Sequence, residues 1–220
     1  MVMAPSSDTN ATVIFEESTS KYLVLLNGLT IETTVTNKAI VAQEWVHQVS
    51  STHVAGSQML VGLDTEWMPA DKRKDMKTAI LQLCVEDKCL IFQLHHMDYI
   101  PMSLRSFMTH PEFKFVGVGV KQDIQKLEMD HWLECNGGID VARLATKQWP
   151  GRYKSLPGLK CLAKELVGLD MKKSKDVCLS KWESKELTKA QVEYACVDAY
   201  ASYKIGKKLL IDGGHDDLPF

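Results

Sequence analysis

Apolar residues recur along this chain in two rhythms. Between residues 12 and 36 the runs TVIFEES, KYLVLLNG and LTIETTVT are β-branched and aromatic, broken by Ser/Thr and by Asn27-Gly28. They predict two or three antiparallel strands, because Asn-Gly suits the left-handed hairpin turn. The rhythm then changes to a helical one. Ile40, Val41, Trp45 and Val49 predict a helix through VAQEWVHQV, with Asn37 as its candidate cap.

From residue 58 the two rhythms alternate. QMLVGLDTEW, TAILQLCVE and KCLIFQL predict core strands, the last two joined by a tight turn at Glu86-Asp87-Lys88. Leu104, Phe107 and Met108 predict a short helix. FKFVGVGV predicts a fourth core strand, followed by a helix from about residue 122 to 132, and GIDVARLATKQ a short strand feeding a helix. The apolar positions of LPGLKCLAKELVG predict an amphipathic helix ended by Gly168. A last helix runs from the cap candidate Thr188 to about residue 210. Hairpin-like strands followed by helix–strand–helix units predict an α/β fold: one mixed sheet with helices on both faces. Residues 1–10, small and polar, are expected to be a disordered tail, and residues 11–56 to pack their strands and helix on the main domain.

Composition narrows the picture modestly. The 220 residues are 45% hydrophobic, enough for one real core, and 26 Lys+Arg against 28 Asp+Glu leave a net charge of −2. No bulk basic field advertises nucleic acid, so any basic surface is local. Six scattered cysteines form no C-x-x-C pair, which argues against a zinc knuckle. The start MVMAPSSDTN has neither a basic nor an apolar leader region, and no run approaches the ~20 apolar residues of a membrane span. The expectation is reduced thiols and a cytoplasmic or nuclear setting, with no membrane partner.

The chemistry begins in LDTEW. Asp64 and Glu66 lie two apart on a predicted strand and share a face, where like charges repel and call for a cation. Asp123 follows FKFVGVGVKQ at a strand-to-helix passage, a ligand position and equally one that a helix dipole favours. Asp198 sits among Ala195, Val197, Ala199 and Ala201 inside the last helix, a costly place for an unpaired charge. Tyr194 stands one turn earlier on the same face.

LDTEW, GVGVKQD and YACVD, in that order, resemble the three motifs of DnaQ-like 3'–5' exonucleases with a ribonuclease H-like fold. AILQLCVEDKCLIFQL and LSKWESKELTKAQVEYA support the match, which covers roughly residues 57–211. The branch it most resembles holds the Werner syndrome exonuclease domain and small stand-alone plant relatives. Tyr-x-x-x-Asp marks the tyrosine subtype, since the histidine subtype needs a histidine where Glu193 stands. The resemblance implies two divalent ions, Mg²⁺ or Mn²⁺. Asp64 would bridge them, with Glu66 and Asp198 on the first and Asp123 acting on the second through water. It also implies that Tyr194 positions the attacking water. The implied substrate is a single-stranded or 3'-overhang nucleic acid, DNA or RNA, and the product a nucleoside 5'-monophosphate. Analogy with small relatives adds a homo-oligomeric ring, and leaves any recruiting protein unidentified.

Substrate contacts are expected at Leu63, Thr65, Trp67 and Met68 beside the first motif, against the terminal base. Lys72, Arg73, Lys74 and Lys77, with Lys172, Lys173 and Lys175, are candidate phosphate contacts or simply solvated loop charge. His95-His96, placed on a strand, would point to opposite faces and share no ion. Gly117 and Gly119 lack the third glycine of a dinucleotide fingerprint, since Gln122 stands there, which removes a nucleotide-binding domain from contention. The remaining alternative is a catalytically silent nucleic-acid- or protein-binding module on the same fold. Such a module has no need of mutually repelling carboxylates.

Overall fold

The computed structural model describes residues 12–18, 21–67, 77–172 and 174–213. The expected tail at residues 1–10 lies outside them. The chain opens with an antiparallel meander of β1 (Thr12–Glu16), β2 (Lys21–Leu26) and β3 (Leu29–Thr36). Asn27 and Gly28 both take positive φ, 50° and 79°, the two-residue hairpin turn their sequence predicts.

Next come α1 (Ala39–Ser50), β4 (Met59–Glu66), β5 (Ile80–Val85), β6 (Lys88–Phe92), α2 (Met102–Thr109) and β7 (Phe113–Gly117). The chain continues through α3 (Val120–His131), β8 (Gly138–Asp140), α4 (Val141–Gln148), α5 (Leu159–Val167), α6 (Lys175–Cys178) and α7 (Lys189–Leu210). The strands form one eight-stranded sheet in the order β1-β2-β3-β6-β5-β4-β7-β8. It is mixed: β3–β6, β4–β7 and β7–β8 pair in parallel, and the other neighbours are antiparallel. Both faces are covered. Apolar side chains of α1, α2 and α3 pack on one, and those of α4, α5 and α7 on the other.

Three local expectations are corrected. Asn37 does not cap α1; Lys38 occupies the cap without a side-chain bond, and Asp98 Oδ1 instead accepts from Ala39 N at 2.8 Å. A long-range carboxylate has taken over a task that local sequence assigns to a neighbour. Ile40 is exposed, because the buried stripe of α1 is Ala39, Ala42, Trp45, Val46 and Val49. His95 and His96 lie beyond the end of β6 in a turn, with rings 4.8 Å apart rather than on opposite faces. His96 Nε2 meets the Glu183 carbonyl at 2.7 Å.

The fold positions the site mainly through α7. A capping box starts it: Gln191 N donates to Thr188 Oγ1 at 3.2 Å, and Thr188 N donates to Gln191 Oε1 at 2.9 Å. The helix then lies directly on β4 because residue 62 is glycine. A β-carbon there would collide with the Ala199 carbonyl and stand 2.8 Å from Tyr203 N.

Candidate active site

Alternation along β4 divides its residues between the two sides of the sheet. Leu60 packs with the α7 layer, whereas Val61 and Leu63 pack with the α1–α3 layer. By the same period Asp64 and Glu66 face α7, and Thr65 faces away. Asp198, only 2% exposed, comes down from α7 onto the two strand carboxylates. Each of Asp64, Glu66 and Asp198 offers an oxygen within 4.8 Å of the other two. Two full negative charges at 4.8 Å repel by about 3 kcal/mol at an effective dielectric constant near 20. A cluster of three hard oxygen donors is suited to a small dication of the Mg²⁺ or Mn²⁺ kind.

Asp123 stands apart from this trio. It occupies the first turn of α3, which opens on Gly119 at φ 73°, and Thr65 Oγ1 donates to its Oδ1 at 2.6 Å. Thr65 therefore bridges the sheet: its neighbours in sequence, Asp64 and Glu66, supply two of the trio, and its own hydroxyl holds Asp123 on the other side. Burial pushes the Asp123 carboxyl up to about 6, opposed by the Thr65 hydrogen bond and reinforced by nearby Asp140. Asp140 caps α4, accepting from Ala142 N at 3.0 Å and Arg143 N at 3.3 Å.

Tyr194 lies one helical turn before Asp198 and is itself buried. Burial pushes its phenol far above the ordinary value, and Asp198, a hydrogen bond with the Cys178 thiol, and Glu66 push it in the same direction. The Tyr194 ring packs against Trp182 at 5.9 Å, and Trp182 Nε1 donates to the Cys178 carbonyl at 3.0 Å, so α6 is pinned beside the tyrosine.

The expected substrate contacts divide sharply. Leu63 and Thr65 are 1% and 4% exposed, so their side chains present no surface to a base. Trp67 is half-buried, with Lys126 Nζ 5.5 Å from its ring centre and 2.8 Å from Asp130. Lys77 and Lys175 are exposed. Lys172 is exposed too, and it tempers the rise that burial imposes on the Glu193 carboxyl. A cavity of about 230 Å³ opens between Lys172, Glu193, Tyr194 and Asp198, with Leu26 and Met171 as its apolar wall. Met68, Lys72, Arg73, Lys74 and Lys173 lie outside the described residues.

Two neighbours that condition the site escape a sequence reading. Asp140 carries a visible signal, an aspartate directly before a helix, but nothing local ties it to Asp123. Cys178 carries none, since only the tertiary fold brings α6 to Tyr194.

Comparison with known proteins places these features in context. The sequence model of a family described as 3'-5' exonuclease matches residues 34–212, a span that begins within β3. The chain is 32% identical over 152 residues to the mouse bifunctional 3'-5' exonuclease/ATP-dependent helicase WRN, covering 68% of this chain and 11% of that protein. It is 34% identical over 152 residues to an Arabidopsis thaliana 3'-5' exonuclease, covering 68% of this chain and 52% of the relative. The chain thus spans about half of the plant relative and a small part of the mouse one. Among solved structures, Escherichia coli RNase D superposes with a TM-score of 0.68 at 18% identity, over 82% of this chain and 44% of that one. Trypanosoma brucei RNase D gives 0.69 at 18% identity, over 85% and 66%. These two likenesses establish the fold, a ribonuclease H-like exonuclease sheet.

Proposed function

Because the chain belongs to the 3'-5' exonuclease family, we propose that it hydrolyses nucleic acid from the 3' end, releasing nucleoside 5'-monophosphates. The observation that carries this reading is the meeting of Asp64, Glu66 and Asp198 within 4.8 Å. An acyl-transfer or proton-abstraction site has no use for three such carboxylates, whereas phosphodiester hydrolysis with bound dications does. Asp64, Glu66 and Asp198 are the residues that would hold two Mg²⁺ or Mn²⁺ ions, with Asp123 as a further acceptor behind Thr65. Bound there, such ions supply charge stabilisation of the displacement and a water more acidic than bulk water.

The chain's own groups do the rest. Tyr194, one turn before Asp198, presents a hydroxyl that orients the attacking water by hydrogen bonding. Asp198 and Tyr194 share one helix face, which fixes the spacing between the metal-holding carboxylate and the water-orienting phenol. Trp67 offers a partly open aromatic face for a base, and Lys126, held beside it, places a cation near the path of the phosphates. Lys172 lines the cavity beside Tyr194 and Asp198. Single-stranded and 3'-overhang ends, whose bases are free to stack on Trp67, are the proposed substrates.

The test uses matched DNA and RNA oligomers labelled at the 5' or the 3' end, with Mg²⁺, Mn²⁺ or EDTA. A descending ladder from the 5' label, with a labelled mononucleotide released from the 3' label, is the expected result in either metal and not in EDTA. Asp64→Ala should lower the rate by at least about 10²-fold. Oligomer binding without any cleavage in either metal would instead identify a silent module.

A further inference from the structure

Gln82 stands in the middle of β5 and is wholly buried. Neither its Nε2 nor its Oε1 has a hydrogen-bond partner among the described residues. The other two buried glutamines among the described residues are well supplied. Gln93 Nε2 donates to the Ser184 and Lys185 carbonyls, and Gln191 completes the capping box of α7. A buried amide with both ends idle is destabilising, and an apolar side chain of the same length would fill the space without that cost. Packing alone does not account for it.

Its position does. In the β4–β5 ladder Gln82 is the residue directly opposite Asp64. Directly opposed residues of an antiparallel pair share a face, with β-carbons about 4.5–5.5 Å apart. Ile80 and Cys84, two residues to either side, pack in the α7 layer, so Gln82 points into that layer as Asp64 does. Ala195 and Ala199 of α7, fully buried in this same layer, carry small side chains. A flexible three-carbon amide therefore lies within reach of the carboxylate at the centre of the acidic trio.

The choice of an amide has a chemical logic. A lysine or arginine here would offset part of the trio's charge and compete with a metal ion. A glutamate would add a fourth repelling charge. A carboxamide offers a donor and adds no charge. We propose that Gln82 is a positioning residue of the acidic site, whose Nε2 donates to the Asp64 carboxylate once a dication has drawn the trio together. Its donation fixes the orientation in which Asp64 presents its oxygens. The inference rests on the reading of the trio as a metal site.

The unmodified protein provides the first test. In ¹⁵N-labelled protein the Gln82 side-chain amide signal is followed during a Mg²⁺ titration, with calorimetry run alongside to record binding. The expected result is a downfield shift of one of its two amide protons that saturates with the calorimetric isotherm. Mg²⁺ binding that leaves this signal unmoved overturns the proposal and leaves the metal site standing; a permanent internal water as partner would give that outcome. No Mg²⁺ binding at all overturns both.

Gln82→Met, of equal length and without hydrogen-bonding atoms, gives the second test. Its metal-free melting temperature should match or exceed that of the original chain, while Mn²⁺ affinity falls by about 10–100-fold. With an oligonucleotide substrate kcat should fall while KM stays constant. Unchanged Mn²⁺ affinity in this variant would overturn the positioning role, because a side chain that serves only to fill the core is replaced by methionine without effect on the metal.

Discussion

Among single residues, Asp123 has the environment whose consequences are easiest to measure. It is 7% exposed, and burial has raised its carboxyl from 3.8 to about 6. A carboxyl raised on folding binds more protons in the folded than in the unfolded chain between those two values. Its contribution to stability is therefore complete below about pH 4 and is lost as pH rises through 6. In EDTA, Asp123→Asn should melt with the original chain at pH 4 and above it at pH 7, the gap opening between. The side-chain oxygen of asparagine still accepts from Thr65, so the difference isolates the charge and should be of order 1–3 kcal/mol. Parallel melting curves across that pH range would show that Asp123 is not strained by ionisation. Asp123 was legible in the sequence as an acidic residue at a helix start. Its bond to Thr65 was not, since the sequence presents Thr65 as one more residue beside the substrate. The alternation of β4 turns Thr65 away from the trio and makes it the link to Asp123.

At the level of elements, the sequence was most informative where one rhythm governs a whole segment. The buried runs of β4, β5 and β7 and the capped start of α7 follow directly from periodicity and cap chemistry. It failed where a distant group overrides a local rule, as when Asp98 takes the place of Asn37 at the start of α1. The parallel pairing of β3 with β6 was likewise out of reach, because no local pattern encodes which strands become neighbours. Two glycines at the contact of α7 with the sheet, Gly62 on β4 and Gly206 in the helix itself, carry a sharper consequence. Gly62 lets the helix touch β4 beside Asp64, whereas Gly206 relieves a contact with the Val116 side chain two turns beyond Asp198. Gly62→Ala forces α7 away from the strand, because its obstacle is backbone. It should destabilise by about 1–3 kcal/mol and also weaken Mn²⁺ binding, since Asp198 and Tyr194 ride on the displaced helix. Gly206→Ala meets a side chain, at 2.6 Å, and should destabilise while leaving Mn²⁺ affinity unchanged. Calorimetry and chemical denaturation of the two variants test the pair; equal losses of metal affinity would mean that α7 does not set the geometry of the trio locally.

For the whole molecule, the relevant fact is how far apart in sequence the trio begins. Asp64 and Glu66 close a central strand and Asp198 arrives on the last helix, so the site exists only when the sheet and α7 are both formed. The sequence pointed to the trio through two short motifs, LDTEW and YACVD, and to Asp123 through a third, while the neighbouring groups, Cys178 beside Tyr194 and Asp140 beside Asp123, became visible only with the chain folded. A ligand that binds this assembled site and not the unfolded chain must stabilise the entire fold. At a concentration 100 times its dissociation constant it adds about 2.7 kcal/mol, which for a domain of this size corresponds to a rise of roughly 5–10 °C in melting temperature. Millimolar Mn²⁺ should produce such a rise, and EDTA should reverse it. Asp64→Ala and Asp198→Asn should each melt at or above the original chain in EDTA, because one repelling charge has gone, and should gain little from Mn²⁺. This crossing of the two orders separates a metal site from an acidic patch that merely attracts cations, which screening by salt would mimic. If Mn²⁺ raises the melting temperature of both variants as much as that of the original chain, the stabilisation comes from elsewhere on the surface. The trio would then have no claim to the ions, and the silent binding module would become the better account of the fold.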